Sequence, residues 1–238
     1  MQSWVKPAAI LAGLSVVVWA VYSYFNPPAE SNPIVVEEGA TIVTVLPWET
    51  VGDYIDPNLG WVHQQFWGIQ PMRLLLEEKD GKAALKCETN SSASILTRTT
   101  DIEVGDYPIL VWDWLIEFPI SSTMDEATEE GDDHPARLLL KMEDREGGEY
   151  AFEIIWSNQK YEPGDYLYIG DFAHYVANGL DENTGVWQHQ EVNLMEIYRE
   201  IFKRDDYPLL KSIGIFCDSD NTGVRSIAYF TDVEMHAK

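Results

Sequence analysis

From Pro7 to Phe25 (PAAILAGLSVVVWAVYSYF) the chain carries no Asp, Glu, Lys, Arg or His, and apolar side chains dominate. At a rise of about 1.5 Å per residue this run spans roughly 28 Å, close to the hydrocarbon thickness of a bilayer. It predicts a membrane-spanning helix, with Trp4 at one end and Tyr22, Tyr24 and Phe25 at the other, where interfacial aromatic rings sit. A cleaved signal peptide is the competing reading. The run is long for such a segment, lacks an A-x-A pattern and is not followed by a cysteine that takes a lipid.

Beyond Asn26 the pattern changes. Asn26–Pro33 (NPPAESNP) reads as a stiff, extended spacer. Short alternating stretches then dominate: Thr41–Leu46, Arg73–Glu77, Ala83–Glu88, Ser94–Arg98, Ile109–Glu117, Ala136–Met142, Tyr150–Trp156, Ser212–Cys217 and Ser226–Met235. Turn clusters such as KDGK, EGDDHP, REGGE, EPGD and DSDNTG separate them, as between β-strands. One stretch has helical spacing instead, Val192–Lys203, with Asn193 placed to cap its start. The expected fold is mainly β, a two-sheet sandwich with one short helix, preceded by a single transmembrane helix. The expected divisions are 1–25 for a cytoplasmic stub and anchor, 26–40 for the spacer, and 41–238 for an acidic β-sandwich domain.

Charge refines this picture. Sixteen Lys and Arg face 40 Asp and Glu, a formal net charge of −24. A field of that sign repels nucleic acid and anionic headgroups, so nucleic-acid binding is excluded. Lys6 precedes the apolar run, whereas Glu30, Glu37 and Glu38 follow it, so the positive flank stays inside and the domain faces outward. This places the chain in a bacterial inner membrane with its C-terminal domain periplasmic. The acidity suits either a basic partner surface or a solvated surface in a saline habitat. Cys87 and Cys217, the two cysteines, lie in alternating segments where buried thiols are common, and their spacing carries no disulfide signature.

Several segments resemble the bacterial family DUF3047, a domain of unknown function whose members are exported or membrane-anchored. They are ALKCETNSSAS (Ala84–Ser94), the pair Trp112 and Trp114, GDDHPARLLLKM (Gly131–Met142), IIWSN (Ile154–Asn158) and DSDNTG…AYFTDVEM (Asp218–Met235). The resemblance covers most of residues 70–236 and implies a jelly-roll-like sandwich, but no known activity. One departure is evident. Where similar proteins carry an Arg-Asn and then an Asp-Tyr pair, this chain has Val192-Asn193 and Ile197-Tyr198, which implies a lost activity and a patch turned into a protein contact.

The densest polar cluster is Asp132, Asp133, His134 and Arg137. Its acids suit Ca²⁺ or a sugar hydroxyl with Arg137 as partner, or equally a turn whose acids bond backbone amides. Asp218, Asp220 and Asn221 form a weak Ca²⁺ candidate that lacks the later acidic ligand of helix-flanked calcium loops. No other cofactor is expected. Trp61, Trp67, Trp112 and Trp114 suit sugar stacking, although Trp112 and Trp114 share one strand face and pack into a core by default; Trp61–Gly68 (WVHQQFWG) reads as an exposed loop. No G-x-S-x-G, H-E-x-x-H, C-x-x-C or phosphate loop is present, so no catalytic residue is assigned and the chain is read as a non-enzyme.

The function expected first is an accessory, non-catalytic subunit of an inner-membrane complex, such as a photosynthetic reaction centre with its antenna or a respiratory assembly. Its partners would be integral membrane subunits, a basic extrinsic surface and the bilayer. Ala9 and Gly13 offer a small-xxx-small seam, with Trp19, Tyr22 and Tyr24 along the anchor. The alternative is a membrane-tethered carbohydrate- or envelope-binding module, and a third reading is an enzyme acting on glycans.

Overall fold

The computed structural model describes residues 32–51 and 55–238. Within these residues two seven-stranded sheets pack face to face. The first has the order β1 (Ile42–Leu46), β14 (Val233–His236), β6 (Ile109–Phe118), β13 (Arg225–Phe230), β4 (Lys82–Asn90) and β3 (Arg73–Lys79), with β11 (Gln188–Asn193) also paired to β6. The second runs β2 (Trp61–Gln65), β5 (Ala93–Glu103), β12 (Leu209–Asp218), β7 (Arg137–Glu143), β8 (Glu149–Ser157), β10 (Phe172–Gly179) and β9 (Tyr166–Ile169). Its β8–β10 pair is parallel, while the pairs β5–β12, β12–β7 and β7–β8 are antiparallel.

Period-two alternation decides which side chains meet between the sheets. On β7, Leu138, Leu140 and Met142 enter the core while Arg137, Leu139 and Lys141 take the outer face. On β8, Phe152, Ile154 and Trp156 enter it and Ala151, Glu153 and Ile155 do not. The first sheet contributes Trp112 and Trp114. Trp114 is fully buried and meets the rings of Trp112, Trp156 and Phe230 edge-on, at 5.2, 5.7 and 6.3 Å. Cys87 and Cys217 are free thiols buried in the same core, so they form no disulfide here.

The helix α1 (Leu194–Phe202) closes one end of the sandwich. Asn193 caps it as expected, its side chain accepting from the amides of Met195 and Glu196. Its buried face, Leu194, Met195, Ile197 and Tyr198, joins the core. Val192 and Ile197 are therefore interior, which corrects the expectation that this patch forms a contact with another protein.

Two further expectations are revised. Packing begins before residue 41: Ile34 pairs with Thr100, Ile34 and Val36 pack against the core, and the Tyr107 hydroxyl donates to the Ala40 carbonyl at 2.6 Å. The stretch Trp61–Gln65, read as loop, is the edge strand β2, and Trp61 is buried against Trp48. No helix among the described residues is long and apolar enough to cross a membrane. The anchor at residues 7–25, with Ala9, Gly13, Trp19, Tyr22 and Tyr24, lies outside the described residues.

Trp114→Ala removes the hub of the aromatic core and is expected to cost about 3–5 kcal/mol. Trp67→Ala, on a fully exposed side chain, is expected to change stability by less than about 0.5 kcal/mol. Urea unfolding of the two variants measures both.

Candidate functional site

The two turn motifs, with Arg137 of one and Asp218 of the other 81 positions apart, meet at one end of the second sheet. Gly131 starts the first, and its backbone runs so close to that of Asp125 that a Cβ would lie 2.2 Å from the Asp125 carbonyl oxygen. The Asp133 carboxylate then accepts the amides of Asn221 and Thr222, holding the second motif's turn, where Gly223 takes the φ of +71° that favours glycine. In return the Asp218 carboxylate accepts the His134 amide at 2.9 Å and pairs with the Arg137 guanidinium. Each motif thus caps the backbone of the other.

Arg137 leaves β7 on the outer face of the sheet and is buried there. Besides Asp218 it donates Nη1 to Asp132 Oδ1 and to Glu153 Oε2, both at 2.9 Å. Two buried imidazoles flank the same acids. His134 Nδ1 lies 3.1 Å from the Trp156 carbonyl, which fixes the proton there and leaves Nε2 as an acceptor 3.6 Å from Asp132 Oδ1. His174 Nε2 lies 3.6 Å from that same oxygen and 3.2 Å from Glu153 Oε2. A loop between β6 and β7 lies over this region, pinned by the buried carboxylate of Glu126, which accepts the Ser157 hydroxyl and the amides of Asn158, Gln159 and Lys160.

The electrostatics follow from burial. Desolvation pushes the Asp132 carboxyl up against the pull of Arg137, and it drives Asp218 well above the carboxylate range for the same reason. At Glu153 burial also pushes upward, but Arg137 and His174 together bring that carboxyl below its ordinary value. Burial, reinforced by Arg137 and His174, holds the His134 imidazole well below its usual range, so it is neutral.

The rest of the outer face is open. Val62 and Gln64 on β2, Ile95, Thr97 and Thr99 on β5, Ser212 and Phe216 on β12, and Leu139 and Lys141 on β7 are half-buried or exposed. Beyond β2 a turn closes with the Ile69 amide on the Phe66 carbonyl at 3.2 Å, Gly68 having φ +78°. This turn presents Trp67 to solvent with its side chain fully exposed. Phe66 beside it is half-buried and meets the Phe216 ring at 6.1 Å, and the Arg137 guanidinium lies 4.3 Å from that ring.

The model of a protein family described as "Protein of unknown function (DUF3047)" matches residues 59–234. The chain belongs to this family. No curated protein matches it. Among solved structures, this DUF3047 chain is similar to a non-crystalline cellulose specific carbohydrate-binding module, at 16% identity and a TM-score of 0.40 over 86% of this chain and 99% of that one. A structure presented as "CBM4 structure and function" gives 13% identity and a TM-score of 0.35 over 75% and 86%. An exo-beta-agarase gives 10% and 0.35, over 84% of this chain and 25% of that one.

Of the residues singled out in the sequence, the DUF3047 fold gathers Asp132, Asp133, Arg137 and Asp218 into one site. Asp220 lies with Asp133 and Asp218, the ligand atoms of the three within 4.8 Å of one another. Asn221 is turned away, donating its side-chain amide to the Glu129 carbonyl. The oxygens of Asp133 and Asp218 already accept backbone amides and Arg137. Trp61, Trp112 and Trp114 are buried in the core, which corrects their reading as contacts; Trp67 alone of the four is exposed. Glu153 and His174 were missed. Their signal was a lone ionisable residue inside an otherwise apolar strand, AFEIIW and FAHYVA.

The outer face of the first sheet is polar but self-neutralised. Lys79 pairs with Glu117 at 2.9 Å, Lys82 with Asp113, and Lys86 with Glu77 at 3.9 Å, while His189 lies 2.7 Å from Asp113. Burial opposes ionisation of Asp113, but the Lys82 ammonium and His189 hold its carboxyl below the ordinary 3.8. A depressed folded-state value stabilises the fold above 3.8 and loses that stability as the pH falls through the lower folded value. Asp113→Asn is therefore expected to be less stable by about 0.5–1 kcal/mol at neutral pH, and the gap should close in acid, as urea unfolding at both conditions measures.

Arg137→Met leaves three acids without their cation and is expected to cost about 3–5 kcal/mol or to prevent folding. Thermal and urea unfolding of the variant beside Lys141→Met, an exposed neighbour on the same strand and face, measures this.

Proposed function

We propose that the domain is a non-catalytic carbohydrate-binding module whose contact surface is the open outer face of the second sheet. The observation that carries this reading is the turn at Phe66–Ile69, which holds an indole wholly in water beside the Phe66–Phe216 pair. Leaving so large an apolar side chain exposed forgoes roughly 1.5–3 kcal/mol of burial, so an exposed aromatic surface of this kind is informative. Sugar rings stack their C–H faces on such rings, and Gln64, Thr97, Thr99 and Ser212 supply polar edges along the same face.

Two further observations narrow the ligand and the role. With a net charge of −24 the chain repels uronate-rich polymers, so a neutral glycan is favoured. The acids that the fold brings to this face, Glu153 and Asp218, are buried and bonded to Arg137, an arrangement that suits recognition rather than cleavage. With the apolar run at 7–25 as its anchor, the module is tethered to the outer side of the membrane, within reach of envelope glycan.

The experiment is a binding screen of the full-length protein against soluble neutral glycans, read by intrinsic Trp fluorescence and calorimetry. At least one is expected to bind, with Trp67→Ala weakening it at least about fivefold, in line with a stacking contribution of about 1–3 kcal/mol. No new reducing ends should appear on incubation. Wild-type protein that binds none, or Trp67→Ala protein that binds undiminished, overturns the reading.

A further inference from the structure

Strand β3 is an edge of the first sheet: it pairs with β4 on one side, and among the described residues no strand lies along the other. Its turn decides which backbone groups are left over. Lys79 and Lys82 flank a two-residue hairpin loop, Asp80 and Gly81, both at positive φ, and the pair that closes such a loop is a hydrogen-bonded one. Counting back in twos, Glu77, Leu75 and Arg73 turn their amides and carbonyls toward β4, whereas Leu74, Leu76 and Glu78 turn theirs outward. The free stretch ends at Met72, whose amide donates to the Ser94 hydroxyl at 3.1 Å.

Open edges are commonly blunted by a central charge, a proline or a bulge. This one carries three leucines at its centre. Leu76 pairs with the buried Leu85 on the core side of the sheet and is nevertheless 46% exposed. Grooves of about 410 and 530 Å³ adjoin it, and Leu76 lines both. The sandwich is therefore open along this edge, with unpaired backbone and apolar side chains side by side.

The sequence of the edge is complementary to itself. We infer that β3 pairs antiparallel with β3 of a second copy, centred on Leu75, so that two first sheets join into one across a two-fold axis. An axis normal to the sheet keeps each face on its own side, so facing residues are both even or both odd. Centred on Leu75, Leu74 faces Leu76 of the second copy and exchanges two backbone hydrogen bonds with it, and Leu76 faces Leu74 in the same way. On the outer face Arg73 stands opposite Glu77 of the second copy, and Glu77 opposite Arg73, on either side of a Leu75–Leu75 contact. Every facing pair from 73 to 77 is apolar on apolar or opposite in charge. The neighbouring registers lose this match: centred on Leu76, Arg73 faces Lys79 and the other leucines face glutamates, and centred on Leu74, Arg73 faces Leu75. Arg73 and Glu77 are loosely held within their own chain, 3.6 Å from Glu88 and 3.9 Å from Lys86. The net charge of −24 on each copy opposes association at low salt, whereas physiological salt screens all but the contacts at the seam. In such a pair the outer faces of both second sheets point the same way, so two Trp67 rings meet one polymer together. That consequence rests on the glycan reading; the pairing does not.

The test is sedimentation velocity of the full-length protein in mild detergent at physiological ionic strength, over about 1–100 µM. The wild type is expected to pass from monomer to dimer in this range. Arg73→Glu puts like charges opposite each other twice and is expected to weaken the dimer at least about fivefold, and the swap Arg73→Glu with Glu77→Arg is expected to restore it. Under mild oxidation Leu75→Cys, opposite itself in a non-hydrogen-bonded pair, is expected to cross-link between copies, whereas Lys79→Cys, whose two copies stand far apart in this register, is not; the native Cys87 and Cys217 are buried. Far-UV circular dichroism checks that each variant folds. Wild-type protein that stays monomeric throughout the range overturns the inference. So does a dimer that folded Arg73→Glu leaves undiminished, or one that Leu75→Cys cross-links no faster than Lys79→Cys, since either result puts the contact elsewhere, as at the apolar run 7–25.

Discussion

The end of the second sheet depends on one buried guanidinium. Arg137 bonds Asp218 across 81 positions of sequence, beside the backbone bond from the Asp218 amide to the His134 carbonyl at 3.4 Å. An ion pair in the interior is not in itself strongly stabilising, because desolvating both groups offsets most of their attraction. What it supplies here is register. The Asp218 carboxylate can reach the His134 amide only when β12 and β7 are paired as observed, and the Asp133 carboxylate can reach the Asn221 and Thr222 amides only then as well. A slip of one residue would turn Arg137 into the apolar core and leave it without an anion.

The same economy of cations runs through the whole domain. Among the described residues every Lys and Arg except Arg98 and Lys238 lies within ion-pair distance of a carboxylate. Arg98 is instead buried over the Trp61 ring and donates to the Asn32 carbonyl, fastening the start of the packed chain to the edge of the second sheet. Positive charge is thus spent on holding strands and turns, and the surplus of acids faces solvent. The exterior field a ligand meets is negative everywhere that it is not neutralised, which is why an uncharged, stacking ligand suits the open face better than an anionic one.

Alternation made the sandwich legible. Strands with one face in the core and one in water, such as LLLKM of β7 and LKCETN of β4, declare themselves because polar and apolar residues take turns. Where both faces are covered the signal fades: β10 has the core on one side and the β6–β7 loop on the other, with Ala127 packed on Ile155, Leu167 and Val176, so its FAHYVA hardly alternates. Strand β2 failed for the opposite reason. As an edge strand, its WVHQQ carries polar side chains toward both faces, so it resembles a loop. The motifs GDDHPAR and DSDNTG marked the right place, but not the partners. Nothing local in AFEIIW or FAHYVA says that its Glu or His meets an Arg on another strand, since that meeting is made by sheet order.

The position of Arg137 links the buried cluster to the open outer face of the sheet. One side of its guanidinium lies over Phe216, the innermost ring of the aromatic platform, and its nitrogens hold the acids that flank the imidazoles. A stacking surface binds well only if its rings are already fixed, because every rotamer frozen on binding subtracts from affinity. Phe216 is wedged between Phe66 on one side and Arg137 on the other, so the rigidity of the platform rests on how firmly Arg137 is held. Three carboxylates bond that one cation at once, so its plane over the ring is held from three directions.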